Sequence, residues 1–450
     1  MNKEQQEIWN VDIVKDTPSD TQEWGTFRDS LRAPIHRWFT YPAGFSYKAV
    51  EASFAVHGIK HGQTIYDPFM GTATTNLVAK SFGINSFGVE AHPFVFKIAR
   101  TKMHWNVKQS DIIAILKQVE ASAKLRRSHS NGNTGSRLKI AFPELILKCY
   151  EENILADLFF IRESVSCVKM PAPIRDVMYV GLVALLREVS SAATGWPYIA
   201  PKKIKTTSLH KDALVEFSRI VRSMAKDIET IRSEASVYSD KSIHKLFNAD
   251  SRCTQELIPS QSIDHVFTSP PYLNNFDYAD RTRLELYFFG EAKTWGDITD
   301  NIRTKLITSA TTQISRNDPK YILSHEIQKK APAVYNVLTK AIVELGRVRL
   351  GKGGKKSYDH LVSGYFNDMF LIVGEVFRVL KRGKTAVFVL GDSAPYGVHI
   401  PTEELLGQIG CAHGFKHYTT QQLRTRGDKW RGNTQRHHVA LKESILTLYK

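Results

Sequence analysis

The sequence predicts an α/β fold in which two strand ends carry the chemistry and a long helical insertion separates them. Three observations predict it. Around 64–91, a short apolar run, a glycine turn, a helix start and a second apolar run ending in an acid follow one another. Around 262–272, another apolar run stops at Ser269-Pro270-Pro271-Tyr272. Between them, from about 107 to 240, the spacing of apolar residues is helical.

Taken in order, residues 1–30 are polar and read as a partly ordered arm. Residues 36–57 read as a loop followed by an amphipathic helix. Strands are predicted at 64–69 and 86–91 around a helix at 74–82, with Thr74 or Thr75 as its N-cap. A further helix covers 94–105. Within 107–240, helices are predicted at 145–161, 175–189 and 213–235, with a disordered loop at 126–137 and a basic stretch at 199–205. Strands resume at 244–250 and 262–272. A second insertion, about 291–358, ends in a Gly- and Lys-rich tract. That tract lacks the spacing of a phosphate-binding loop, which argues against an NTPase. A helix at 360–381, a strand at 385–392, a helix at 402–412 capped by Thr402, and strands at 414–423 and 439–449 close the chain. The sheet then has about seven strands. The organisation expected is an arm (1–30), a main α/β domain (31–106 and 241–450), the helical insertion (107–240) and the second insertion within the main domain.

Composition narrows the partners. Among 450 residues, 61 Lys and Arg stand against 45 Asp and Glu, a net charge of +16. Such a balance suits a polyanion, through phosphate neutralisation and counterion release. The cysteines (Cys149, Cys167, Cys253, Cys411) are scattered and form no Cys-x-x-Cys pair, so neither a zinc site nor a disulfide scaffold is expected. The polar stretch 1–22 has no signal-peptide apolar region, and the longest apolar run, 178–186, is too short to span a bilayer. A reducing, cytoplasmic and nucleoid-associated setting is expected.

The two strand ends suggest what is bound. Two successive prolines stop a central strand and remove two N–H donors. They leave the Ser269 hydroxyl, carbonyl acceptors and the Tyr272 ring at a corner, a set suited to a planar ring bearing an amino group. A plain strand-to-loop corner is the alternative. At the other end, Gly71 lets a ligand approach the backbone, and Glu90, ending the next strand, suits a pair of ribose hydroxyls.

With these residues in hand, the chain resembles the S-adenosylmethionine-dependent DNA amino-methyltransferases of the N4-cytosine type, whose catalytic motif is Thr-Ser-Pro-Pro-Tyr. The resemblance implies a Rossmann-like class I methyltransferase sheet with S-adenosyl-L-methionine as cofactor. It assigns cofactor contacts to Asp67, Pro68, Phe69, Gly71 and Thr74, to Glu90, to Asp250 within Asn248-Ala249-Asp250-Ser251-Arg252, and to Tyr41 and Phe45 in the segment 36–50. It assigns catalysis to Ser269, Pro270, Pro271 and Tyr272, with 273–278 and 283–286 extending the match. Ser269, in place of Asp or Asn, points to cytosine N4 over adenine N6. No Pro-Cys pair of the kind used by C5-cytosine enzymes is present. One departure stands out: the family's second turn glycine is Ala73, whose methyl is expected to crowd the cofactor.

The family's substrate is double-stranded DNA with a flipped base, and a cognate restriction endonuclease is a possible partner. By the same analogy 107–240 reads the target sequence, with 291–358 as rival or helper. Lys202, Lys203 and Lys205, and Arg424, Arg426, Lys429 and Arg431 around Trp430, are the expected nucleic-acid contacts. A metal at His437-His438 is not expected. The alternatives left open are an N6-adenine or RNA-base methyltransferase and an inactive DNA-binding protein on the same scaffold.

Overall fold

The computed structural model describes residues 24–40, 44–130, 134–193, 199–204, 211–237, 239–354, 356–426 and 439–450. Helix α1 (Tyr47–Val56) begins at Ser46, whose hydroxyl accepts the Lys48 N–H at 3.2 Å. The α/β alternation follows as β1 (Thr64–Asp67), α2 (Thr74–Ser81), β2 (Asn85–Val89) and α3 (Pro93–Lys102). The first insertion contains α4 (Gln109–Ser128), α5 (Thr134–Ala141), α6 (Glu144–Leu147), α7 (Glu152–Cys167) and α8 (Ala172–Glu188). A small antiparallel pair, β3 (Ala192–Ala193) and β4 (Ala200–Ile204), and α9 (Ala213–Glu234) complete it. Strands β5 (His244–Phe247) and β6 (Ile263–Thr268) return to the sheet. Helices α10 (Arg283–Phe289), α11 (Trp295–Asn301), α12 (His325–Lys330), α13 (Pro332–Gly351) and α14 (Tyr358–Val379) then lead to β7 (Leu380–Gly391). Helix α15 (Thr402–His413), β8 (His417–Arg426) and β9 (Leu441–Tyr449) end the described chain.

Seven strands form one mixed sheet in the order β5-β2-β1-β6-β7-β9-β8. Its pairings are parallel from β5 to β7, and β9 is antiparallel to both β7 and β8. The fold is α/β and Rossmann-like, as the sequence predicts. Strand β6 is buried at every residue, which its central place between helical layers requires. Sequence order reverses between β1 and β6. Ligands of open α/β sheets bind outside the carboxyl ends of strands at such a switch point.

The first insertion does not stand apart. Ile112, Leu116, Leu158, Val177 and Phe217 lie in one hydrophobic cluster with Met70, Leu77 and Phe94 of the sheet layer and with Leu284 and Phe288 of α10. A buried polar clamp reinforces this contact. Asp227 of α9 accepts the Ile35 N–H at 3.2 Å and the Trp38 indole N–H at 3.0 Å, and pairs with the Arg37 guanidinium. The clamp holds Ile35 at φ 62°, ψ −44°, a strained conformation for a β-branched residue.

Several sequence expectations are corrected. In the predicted loop at 126–137, residues 126–128 and 134–137 are helical, and 131–133 lie outside the described residues. Helix α4 continues to Ser128 because Val119 and Ala123 are buried, and α5 starts at Thr134. The single helix expected at 145–161 is two, α6 and α7. Between them the Cys149 carbonyl turns to accept the Ser190 hydroxyl at 3.0 Å, and Tyr150 donates to the Leu186 carbonyl at 2.8 Å. The insertion also contains the β3–β4 pair, so it is not wholly helical. Neither Thr74 nor Thr75 caps α2; that position is Ala73. Thr402 is the first residue of its helix, after Pro401.

The Asp227 clamp yields a test. Asp227→Ala leaves the Ile35 N–H and the Trp38 indole N–H without their acceptor, while the part-exposed Arg37 turns to water, and it is expected to lower stability by about 1–3 kcal/mol. The midpoint of urea unfolding measures this; an unchanged midpoint would show that the clamp carries no load.

Candidate active site

The site is assembled from strand ends. After β1 the chain turns through residues 67–71, and this turn is fixed to three neighbouring strand ends. The buried Asp67 accepts the Phe69 N–H at 3.0 Å and the Thr268 hydroxyl at 2.6 Å, both on Oδ1, which locks the end of β1 to the end of β6. Ser251, just beyond β5, donates its hydroxyl to the Pro68 carbonyl. Glu90, just beyond β2, accepts the Gly71 N–H at 3.0 Å on one oxygen and the His92 N–H at 2.8 Å on the other. Gly71 adopts φ +53°, a left-handed conformation that glycine takes without cost. Burial pushes both carboxyls up, Asp67 to about 6 and Glu90 to about 7, against hydrogen bonds that favour their charged forms.

A cleft opens at these strand ends, at the place where an open α/β sheet binds its ligand. Its walls come from Gly44 and Phe45 before α1, from residues 68–72 and Thr74, from Glu90, from Asp250 and Ser251, and from Ser269 and Pro271. The two strand ends singled out in the sequence therefore share one cleft. Phe45 also packs its ring on Phe267, with centroids 5.4 Å apart, joining the segment before α1 to β6.

Ser269 Oγ donates to the Val389 carbonyl of β7 at 3.2 Å, its side chain also meets that of Tyr272, and its lone pairs remain able to accept. At the far side, Arg252 Nη2 holds Asp250 Oδ2 at 2.6 Å, and Arg252 Nη1 reaches Asp368 of α14 at 2.7 Å.

Three predicted residues are not on the wall. Asp67 lies beneath the turn, where it ties strands together. Pro270 is buried in the corner. Tyr272, expected to point outward, is packed inward and only 5% exposed. Its hydroxyl donates to Glu443 of β9 at 2.8 Å, and the Arg426 guanidinium lies 4.9 Å from its ring centroid. Gly391 makes the room: a Cβ there would stand 2.9 Å from Tyr272 Cδ2 and 2.1 Å from Arg426 Nη1.

Ala73 departs from expectation in the same informative way. It sits at φ +70°, ψ +32° as the N-cap of α2, a conformation that costs a residue with a β-carbon roughly 1–2 kcal/mol. It is fully buried in the hydrophobic cluster with Met70 and Leu77 and is not part of the cleft wall. Its methyl therefore does not crowd the cleft, and the cost of losing glycine is borne by the backbone.

The sequence did not single out one wall. Lys305, Leu306, Ile307 and Ser309, from the second insertion, face the same cleft, together with Tyr278. This strap is fastened at both ends. Arg303 pairs with Asp277 at 2.8 Å in a nearly dry setting, and Ser309 donates to the Phe276 carbonyl at 3.1 Å. On the other side the Thr308 N–H donates to Asp368 at 2.8 Å, the same carboxylate that holds Arg252.

No protein-family model matches the chain. The chain is similar to Type II methyltransferases. It is 26% identical to Type II methyltransferase M.BsoBI of Geobacillus stearothermophilus over 97% of this chain and 89% of that protein. It is 25% identical to Type II methyltransferase M.AvaI of Nostoc sp. (strain PCC 7120 / SAG 25.82 / UTEX 2576) over 90% of this chain and 86% of that protein. A shorter match, 26% identical over 23% of this chain and 38% of the relative, is to Type II methyltransferase M2.DpnII of Streptococcus pneumoniae.

The expected nucleic-acid contacts divide. Tyr41 of the cofactor set and Lys205, Lys429, Trp430 and Arg431 lie outside the described residues, while Lys202 and Lys203 fall on β4. Arg424 pairs with Glu443 at 2.6 Å and Arg426 covers Tyr272, so both turn toward the site's interior. Their reason is Glu443, a buried carboxylate on β9 that draws the Arg424 charge inward. Among the described residues, no group of three His, Cys, Asp or Glu side chains is placed to hold a metal ion, and no helix is long and apolar enough to cross a membrane.

Glu90 gives a pH signature. A carboxyl raised to about 7 in the folded chain from an ordinary 4.5 favours its neutral form, so its contribution to stability falls as pH rises through that window. Glu90→Gln cannot ionise. Its stability relative to wild type is expected to rise from pH 5 to pH 8 by on the order of 1–3 kcal/mol. Parallel denaturation curves across that range would remove Glu90 as the titrating group.

Proposed function

We propose that this protein is an S-adenosylmethionine-dependent DNA methyltransferase that modifies the exocyclic N4 amine of cytosine. The observation that carries the reading is the single cleft shared by Glu90, Asp250 and an inward-donating Ser269 hydroxyl. The similarity to Type II methyltransferases over nearly the whole chain supports DNA methylation within restriction–modification. A cognate endonuclease acting on the same site is the proposed partner.

The cleft fits the cofactor by chemistry. Glu90 presents a carboxylate at the end of β2, suited to two ribose hydroxyls. Asp250 is held at the adenine side by Arg252, and Gly71 lets the backbone approach. Phe45, Pro68, Phe69 and Thr74 supply the remaining wall. Asp67 acts indirectly, by fixing the turn. When bound, S-adenosylmethionine supplies an electrophilic methyl group on a sulfonium.

The chain's own part is binding and orientation. Cytosine N4 is a poor nucleophile because its lone pair is delocalised into the ring. Ser269 Oγ, which donates to the Val389 carbonyl, accepts one amino hydrogen, and the Pro270 carbonyl accepts the other. Both contacts favour a more tetrahedral nitrogen and turn its lone pair toward the cofactor side of the cleft. Transfer would then be a direct displacement. The N4–methyl bond forms as the sulfonium–methyl bond breaks, the cofactor departs as a neutral thioether, and the surplus amino proton passes to solvent. Proximity and alignment carry the acceleration, with no covalent intermediate on the protein. The base reaches the cleft by flipping, which costs a few kcal/mol. Stacking on Tyr272, worth about 1–3 kcal/mol, offsets part of this. The first insertion, 107–240, is the proposed reader of sequence.

Nucleoside mass spectrometry of DNA incubated with the pure protein and cofactor tests the reading. N4-methylcytosine is expected; N6-methyladenine would overturn the base assignment, and no methylated base would overturn the activity. Ser269→Ala is expected to lower kcat about 100-fold with cofactor affinity unchanged. An equal loss of both would count against the role given to its hydroxyl.

A further inference from the structure

Tyr272 presents no open ring face. It is 5% exposed, its hydroxyl is held by Glu443, and Gly391 lies against its edge. For a base to stack there, a covering group must leave. Glu443 and Gly391 are sheet residues paired in register between β7 and β9. A third cover among the described residues is the Arg426 guanidinium, 4.9 Å from the ring centroid. It sits on a long side chain at the last residue of β8 and is half-buried. Its hydrogen bond to the Asp392 carbonyl, one of its contacts among the described residues, is long at 3.4 Å. Its charge acts on Tyr278 as well as on Tyr272. Tyr278 lies on the cleft wall beside Ser269 and Pro271.

We infer that Arg426 occupies the target-base slot in the DNA-free protein, its planar guanidinium standing where the flipped base stacks on Tyr272. This deepens the proposed function and rests on it for the nature of the entering ring. The incoming base exchanges with the guanidinium, so the tyrosine keeps a planar partner throughout. Released from the ring, the Arg426 side chain reaches outward, where a DNA phosphate can replace the lost contact. Arg426 is thus a positioning residue whose displacement forms part of base entry.

The occupancy is tested without methyl transfer by hydroxyl-radical footprinting of the whole protein. Oxidation of Tyr272 is read by peptide mass spectrometry against the other tyrosines. Wild type is expected to show strong protection of Tyr272. Arg426→Ala is expected to raise its oxidation several-fold, and a cytosine-rich single-stranded oligonucleotide is expected to restore protection. Arg426→Lys, which keeps the charge but cannot stack as a plane, serves as the second variant should the alanine protein not fold, and its Tyr272 is expected to be exposed as well. Unchanged protection in a folded variant overturns the inference, as does exposure that the oligonucleotide does not reverse.

Binding separates the slot from a simple phosphate contact. Arg426→Lys is expected to bind single-stranded DNA a few-fold more tightly than wild type, because an ammonium keeps the charge but competes for the ring less well than a planar guanidinium. Affinity equal to or weaker than wild type overturns the competition. If wild type transfers no methyl group while the footprint behaves as described, the enzymatic reading fails and the slot stands.

Discussion

The hydrogen bond from Thr268 to Asp67 sets the relation between the two strand ends on which the site depends. Strands β1 and β6 are paired only at Ile65 with His265 and Tyr66 with Val266. Beyond those pairs the strands would be free to splay. The 2.6 Å bond between the next side chains extends the lock by one layer, and the Thr75 hydroxyl adds a longer contact to the Phe267 carbonyl at 3.4 Å. Ser269 is the residue immediately after Thr268, and Gly71 lies four residues after Asp67. Burying Asp67 is costly, as its raised protonation midpoint near 6 shows. What the cost supports is a fixed distance between a nucleotide-type turn and a row of acceptors.

What the sequence revealed follows from where the chemistry lies along the chain. The turn at 67–71, the acid Glu90 and the corner at Ser269 are each local patterns at a strand end, so their residue types and spacing are visible without the fold. Tyr272 was misjudged because its environment is assembled from β7, β8 and β9, more than a hundred residues downstream. Glu443 and Gly391 carry no local signal of any connection to Ser-Pro-Pro-Tyr. Ala73 was misjudged for a different reason: a missing glycine reads as a steric problem, whereas the methyl is buried in the core and the strain sits in φ. Lys305 and Ser309 were invisible, since an irregular strap has no period and its place against the cleft depends on Asp277, Asp368 and Arg303.

The insertions enlarge the core as well as the surface. Leu158 and Val177 share a hydrophobic cluster with Leu77 and Phe94, so packing changes in the insertion bear directly on helices that back the β1 and β2 ends. The Asp227 clamp adds a polar link from the same insertion to the segment that runs into Phe45. The second insertion works differently. It contributes cleft wall through short, buried charge contacts, with Arg303 on Asp277 and Asp368 bridging Thr308 and Arg252. Buried pairs of this kind give modest net stability, because desolvation consumes most of the attraction, yet breaking one is expensive. They suit a strap whose position must be defined although it has little regular secondary structure.

The two sides of the cleft differ in stiffness, and the proposed reaction explains why. On the cofactor side, Glu90 and Asp67 accept backbone N–H groups, and Ser251 donates to a backbone carbonyl, so the polar groups are held by main chain. On the Tyr272 side, the covering group is a long, half-buried arginine side chain. A cofactor that must present one methyl group in line gains from rigid walls, since small displacements of reacting atoms cost large factors in rate. A base that must leave a duplex gains from a slot whose occupant is already planar and stacked. Exchanging one stacked group for another keeps Tyr272 from water and sets about 0.5–2 kcal/mol lost with the cation against about 1–3 kcal/mol gained with the base. The flipping cost of a few kcal/mol remains, and the contacts that Ser269 and its neighbouring carbonyl make with an amino group offset part of it, which couples entry of the ring to the presence of the group to be modified.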